Sequence, residues 1–215
     1  MCFSATASVT ASVALTGIGV LALRAARTRG ERLFALIPLL FAAQQATEGL
    51  IWMSYTWEAP TLRAWATQIY SVFSHLLWPA FVPWTVRALE PVPWRRQVLA
   101  LLGFGGLVSA LFLLASMVAT PIEVAPIGGH LEYRSPHFFL PLSLTLYLAS
   151  TTLGLGMSSR PAIRWFGVLA LVSAGLAYAV YARWFISVWC FFAAVLSVMV
   201  YIALASRRAA APVTP

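Results

Sequence analysis

The chain contains no lysine and no aspartate. All fourteen basic residues are arginine and all six acidic ones are glutamate, so only 9% of the 215 residues carry a charge. A soluble globular chain carries about a quarter, and that class is excluded. With 61% hydrophobic residues and a mean hydropathy of +0.84, almost the whole chain reads as membrane-embedded. The missing lysine also excludes a retinal pigment, whose chromophore needs a lysine Schiff base. A basic pI would point to nucleic acid in a soluble protein. Here the arginines lie between apolar spans, where they act as topology signals and contact lipid head groups; nucleic acid is not an expected partner. Cysteine is scarce too. Cys2 and Cys190 are too few for a disulfide scaffold, and their spacing matches no zinc-finger or CxxC motif.

What is present is a series of apolar runs. Seven spans of about the 20 residues needed to cross a hydrocarbon core can be drawn, at about 5–25, 33–55, 62–88, 96–119, 138–157, 163–181 and 183–206. The expected fold class is therefore an all-α membrane protein, with residues 1–208 forming a single seven-helix domain. The sixth and seventh spans are divided only by the short stretch Tyr181–Trp184. Eleven of the fourteen arginines fall on alternate links and the tail: Arg24, Arg27, Arg29 and Arg32, then Arg87, Arg95 and Arg96, then Arg160 and Arg164, then Arg207 and Arg208. The positive-inside rule puts the N-terminus outside and the C-terminus in the cytoplasm. Trp52, Trp57, Trp65 and Trp184 fall near the outer interface, and Trp84, Trp94 and Trp165 near the inner one. The first span lacks a basic leader before its apolar run and is not read as a secretory signal. The longest link, 120–137, is expected outside as a loop or lid, and 209–215 as a disordered tail.

Ionisable and strongly polar residues are costly in a bilayer, so their placement is the best pointer to function. Gln44, Gln45, Glu48 and Trp52 share one face of the second span. Gln68, Ser71 and His75 share a face of the third, where Pro79 cannot donate to the His75 carbonyl and a kink is expected. A neutral His75 bonded to Glu48 or to a serine is the plainest reading there. In the seventh span Arg183, Ser187, Cys190, Ala194, Ser197 and Tyr201 form a narrow small-and-polar stripe, which also suits close helix packing. In the first, Ser4, Ser8, Ser12 and Thr16 recur every four residues as a packing surface. By depth and face, Glu48, His75, Gln44, Ser71 and Ser187 are candidate ligand-binding residues of an outward-facing pocket. Cys2, Cys190, His75 and Glu48 are candidate metal ligands, a mixed set suited to zinc or copper. A Cys2–Cys190 disulfide is the alternative use of the two thiols.

The stretches MCFSATAS, EGLIW, HLLWPAFVPW and SVWCFFAAVLS resemble an uncharacterised family of bacterial seven-helix membrane proteins, a domain of unknown function. The resemblance covers most of the chain. It implies a multi-pass protein of a bacterial inner membrane in which Cys2, Glu48, His75 and Cys190 are motif residues, and it brings no activity. Whether the protein is an enzyme stays open. The expected function is binding of a metal ion or small ligand in the intramembrane pocket. One alternative is a metal-dependent intramembrane hydrolase of ceramidase-like topology, with Ser71 four residues before His75. Others are a small-solute transporter and an accessory subunit of a membrane complex. Membrane lipids are the one partner the composition implies directly.

Overall fold

The computed structural model of the protein describes residues 4–209, with side chains through Ser206. Cys2 and the tail beyond Ala209 lie outside the described residues. About 84% of the described residues are helical. Among the described residues, four helical stretches are long and apolar enough to cross a membrane: Ala5–Ala25, Arg29–Thr56, Pro93–Ala119 and Pro161–Ser206.

Helix α1 (Ala5–Ala25) starts at Ser4, whose hydroxyl accepts from the Ala7 amide. Thr28 and Glu31 then form a reciprocal capping box that starts α2 (Arg29–Thr56) after a link of only a few residues. Helix α2 is the hub of the bundle: 67% of its most apolar window is buried, against 22% for α1. Helices α3 (Pro60–Ser71) and α4 (Trp78–Leu89) are joined without a break by a π-helical turn, Val72–Leu77. Helix α5 (Pro93–Ala119) presents Leu101, Leu111 and Val118 outward, each more than 60% exposed, as a lipid-facing helix would.

The link at 120–137 is not irregular. It folds into a two-stranded antiparallel hairpin, β1 (Glu123–Ile127) against β2 (His130–Arg134), so the chain is not wholly helical. The turn is Gly128–Gly129, both at positive φ, where glycine avoids the Cβ clash. A 3₁₀ turn at Pro136–Phe139 leads into α6 (Pro141–Leu148), a second π turn (Ala149–Leu153) and the single turn α7 (Gly154–Gly156). Together these segments carry the chain from the hairpin to Ser159 at the opposite end, within the span expected at 138–157.

Helix α8 (Pro161–Tyr181) is followed by a 3₁₀ turn at Ala182–Trp184, then α9 (Phe185–Leu196) and α10 (Val198–Ala209). The Trp189 indole donates to the Ala170 carbonyl at 3.1 Å, and Phe185 packs edge-on to Tyr178. In one straight helix residues 170 and 189 would be about 28 Å apart. The chain therefore doubles back at 182–184, where the sequence places the division between its last two spans.

At the end opposite the hairpin, two glutamates knit the arginine-rich links together. Glu31 accepts from the Arg27 and Thr28 amides and lies 3.5 Å from Arg160. Glu90 accepts from the Ser159 amide and hydroxyl and from the Val92 amide. Burial pushes the Glu90 pKa up, but these hydrogen bonds and nearby Arg95 outweigh it and hold it below the usual carboxylate value. A depressed folded-state pKa stabilises the fold above the unfolded value of 4.5 and ceases to do so as pH falls through the folded one. Glu90→Gln should therefore lower the thermal midpoint near neutrality, and the gap from the native chain should narrow between about pH 5 and pH 3. A gap independent of pH would contradict the assignment.

Candidate functional site: a sealed polar cluster under the hairpin

A four-residue step puts Gln44 and Glu48 on one face of α2, and Gln45 lies about 100° round the helix from Gln44. All three are fully buried, in the part of the bundle nearest the hairpin. Close approach of α1 is possible because position 49 is glycine. A Cβ there would meet Val9 Cγ2 at 3.0 Å and the Ala5 carbonyl at 3.8 Å. The same contact brings fully buried Ser8 to the α2 surface. From the other side, α9 supplies Ser187, whose hydroxyl donates to Glu48 Oε1 at 2.6 Å. Gln45 and Ser8 flank the same carboxyl. Both stand within hydrogen-bonding reach of it, yet Glu48 Oε2, the Gln45 amide and the Ser8 hydroxyl close no hydrogen bond of good geometry among the described residues. Gln44 Nε2 is likewise unpartnered, while its Oε1 accepts from the Trp78 indole at 2.8 Å. Native interiors pair such atoms with protein or with ordered water, so these groups can still accept water or another guest.

His75 belongs to a second cluster and does not pair with Glu48. Its ring nitrogens contact Ser74 Oγ at 2.8 Å and Ser135 Oγ at 2.9 Å, and Phe138 packs beside the ring. The kink expected at Pro79 is realised as the π turn. Counted five residues back, as in such a turn, the missing Pro79 N–H leaves the Ser74 carbonyl without its helical donor. The Tyr147 hydroxyl takes that role at 2.6 Å. Ser71, read as a pocket residue, turns its hydroxyl back to the Thr67 carbonyl of its own helix.

The hairpin closes the bundle above these groups. Tyr55 donates to the Val124 carbonyl at 2.7 Å and Gln68 to the Ile122 carbonyl at 2.8 Å. Tyr133 stacks on Tyr70 at 4.5 Å, and Arg183 bonds Glu132 at 2.8 Å. His130 is tucked between the Tyr181 and Trp184 rings, where burial holds its pKa below the ordinary histidine value. Ser135, just after β2, is the strap that reaches down to His75.

Cys190 is buried beside Gln44 and Tyr70 and lines an apolar cavity of about 40 Å³ shared with Phe41, Trp78, Tyr147 and Trp189. Among the described residues no three His, Cys, Asp or Glu side chains come together as metal ligands. Cys2, the remaining candidate, lies outside those residues. The structure thus brings together Glu48, Ser187 and Gln44, sets His75 in its own hydroxyl cluster, and leaves Ser71 committed to its helix. Ser8, Gln45, Ser74, Ser135 and Tyr147 were not among the candidates. A tyrosine in the middle of a span was a usable signal for Tyr147. Nothing local marks Ser135, whose partner is 60 positions away.

A mostly helical chain with membrane-length apolar helices and a lipid-type exposed face has the character of a membrane protein. The chain belongs to a family of unknown function, DUF6629, whose model matches residues 1–214. No curated protein and no solved structure matches it.

Proposed function

We propose that the protein is a seven-span protein of a bacterial inner membrane, N-terminus outside, that binds a small polar ligand at Glu48 beneath the hairpin. The observation that carries this reading is the set of orphan polar atoms on Ser8, Gln45 and Glu48. Leaving each such atom unpaired costs about 1–3 kcal/mol, a penalty that a bound guest removes. The orientation is supported by the arginine-rich links, which gather at the end away from the hairpin and are clamped there by Glu31 and Glu90. The seven-span count is supported by the reversal at 182–184 and by the continuous run from α3 through α4.

Dicyclohexylcarbodiimide, which modifies protonated carboxyl groups in apolar surroundings, tests the reading. Intact-mass analysis of protein in native membranes and after exhaustive dialysis in detergent should give one adduct at Glu48. That adduct should be slower to form before dialysis and absent in Glu48→Gln. Equal rates in both preparations, or a Glu48→Gln protein as stable as the native one with no Glu48 adduct in either, would make Glu48 a packing residue.

A further inference from the structure

We infer that the guest at Glu48 is a monovalent alkali cation held in competition with a proton. The inference deepens the ligand-site reading above and rests on it. Three observations point the same way. The first is charge. Glu48 is fully buried, and an ionised carboxylate in hydrocarbon is expensive without a compensating charge. One carboxylate is neutralised by one proton or one monovalent cation, whereas a divalent ion would leave a net charge in the bilayer.

The second is donor chemistry. Gln45 and Ser8 lie within hydrogen-bonding reach of the Glu48 carboxyl, where Glu48 Oε2, Gln45 Oε1 and Ser8 Oγ close no bond of good geometry, and Ser187 Oγ completes the set from α9. Oxygen donors of this kind suit hard cations, and helical transporters likewise hold sodium ions through oxygen atoms, there largely of unwound backbone carbonyls. The soft donor nearby, Cys190, lies beside Gln44 and Tyr70 and lines the aromatic cavity.

The third is room. α1 packs closely on α2 at Gly49, where a Cβ would lie 3.0 Å from Val9 Cγ2 and 3.7 Å from Ser8 Cβ, and Ser187 already touches the carboxyl. A guest bound here must be the size of an ion or a water molecule. The groups that face Glu48 among the described residues are neutral hydroxyls and amides from α1, α2 and α9. Among the described residues the Cys190 thiol of α9 is the titratable group in electrostatic reach.

The test is thermal unfolding of full-length protein in detergent, titrated with LiCl, NaCl or KCl against choline chloride at constant ionic strength. At least one alkali cation should raise the midpoint by roughly 5 °C at a hundredfold excess over its dissociation constant. Its affinity should strengthen about tenfold per pH unit while protons occupy the site. Glu48→Gln should abolish the effect. Gln45→Ala keeps the carboxylate and should weaken binding about tenfold, an arm that decides the matter if Glu48→Gln does not fold. If all three cations act like choline at every pH while carbodiimide still modifies Glu48 more slowly before dialysis than after it, the cation inference falls and the ligand-site reading stands. If Glu48 also fails to react and its replacement is silent, both fall.

Discussion

Gly106→Ala should cost at least about 3 kcal/mol and in practice deplete folded protein from the membrane. Helices α4 and α5 touch through backbone at this point. A methyl group on Gly106 would sit 2.0 Å from the Pro79 carbonyl oxygen, 2.7 Å from its carbon and 3.0 Å from Ser150 Cβ. A flexible side chain could swing aside, but the Pro79 carbonyl belongs to the run that also holds His75, so relief requires the helices to separate. Overpacking normally costs about 1–3 kcal/mol, and contact with immovable backbone puts this case at the top of that range or beyond it. The neighbouring glycine supplies the control. A Cβ on Gly105 meets only Leu146 Cδ2, at 3.4 Å. Gly105→Ala should therefore be neutral or gain up to about 1 kcal/mol from helix propensity. Unfolding midpoints in detergent separate the two, and equal stability of both variants would contradict the packing described.

Ser135→Ala should unlatch the hairpin. The substitution leaves His75 Nε2 buried without its partner, a loss of about 1–3 kcal/mol. Because Ser135 is the strap between strand β2 and the bundle, the loss is felt mainly as lid opening. Amide hydrogen exchange across Val124–Tyr133 should quicken on the order of tenfold to a hundredfold while exchange in α2 stays unchanged. Arg183→Ala removes an ion pair whose arginine is 54% exposed, and such pairs are worth about 0–1 kcal/mol, so its effect should be small. If Arg183→Ala loosens the hairpin more than Ser135→Ala, the hairpin is held by its surface charges and not by the strap.

Periodicity and cost in the bilayer carried the sequence reading a long way. They place Glu48 on the inward face of α2 and Ser187 on that of α9, and the two side chains lie 2.6 Å apart. The buried stripe of α9 continues through Cys190 and Ala194 as the alternating spacing suggests. The hydroxyl row of α1 was less informative. Ser8 is fully buried, while Thr16 faces outward and bonds back to the Ser12 carbonyl, because the helix packs along Ser8, Leu15, Gly19 and Ala22. A hydroxyl satisfied by its own backbone carries no directional signal.

Two features were beyond local patterning. The partner of His75 comes from a link whose pairing depends on tertiary contact, so depth alone suggested Glu48 as readily as a serine. The hairpin itself hides in TPIEVAPIGGHLEYRSPH, where prolines mask the strand pattern and only the adjacent glycines mark the turn. The segment at 138–157 is apolar enough to suggest a full crossing. A 3₁₀ turn at its start and a π turn at its middle interrupt it, and the helix between them delivers Tyr147 to the Ser74 carbonyl.

The measurement that tests the account most directly is a crystal or cryo-EM map sharp enough to show ordered water around Glu48. The account predicts a distinct peak within bonding distance of Glu48 Oε2, Gln45 Oε1 and Ser8 Oγ, present in the native protein and lost in Glu48→Gln. Gln45 and Glu48 bonded directly to each other, with no density between them and Ser8, would show that the cluster satisfies itself and holds no guest.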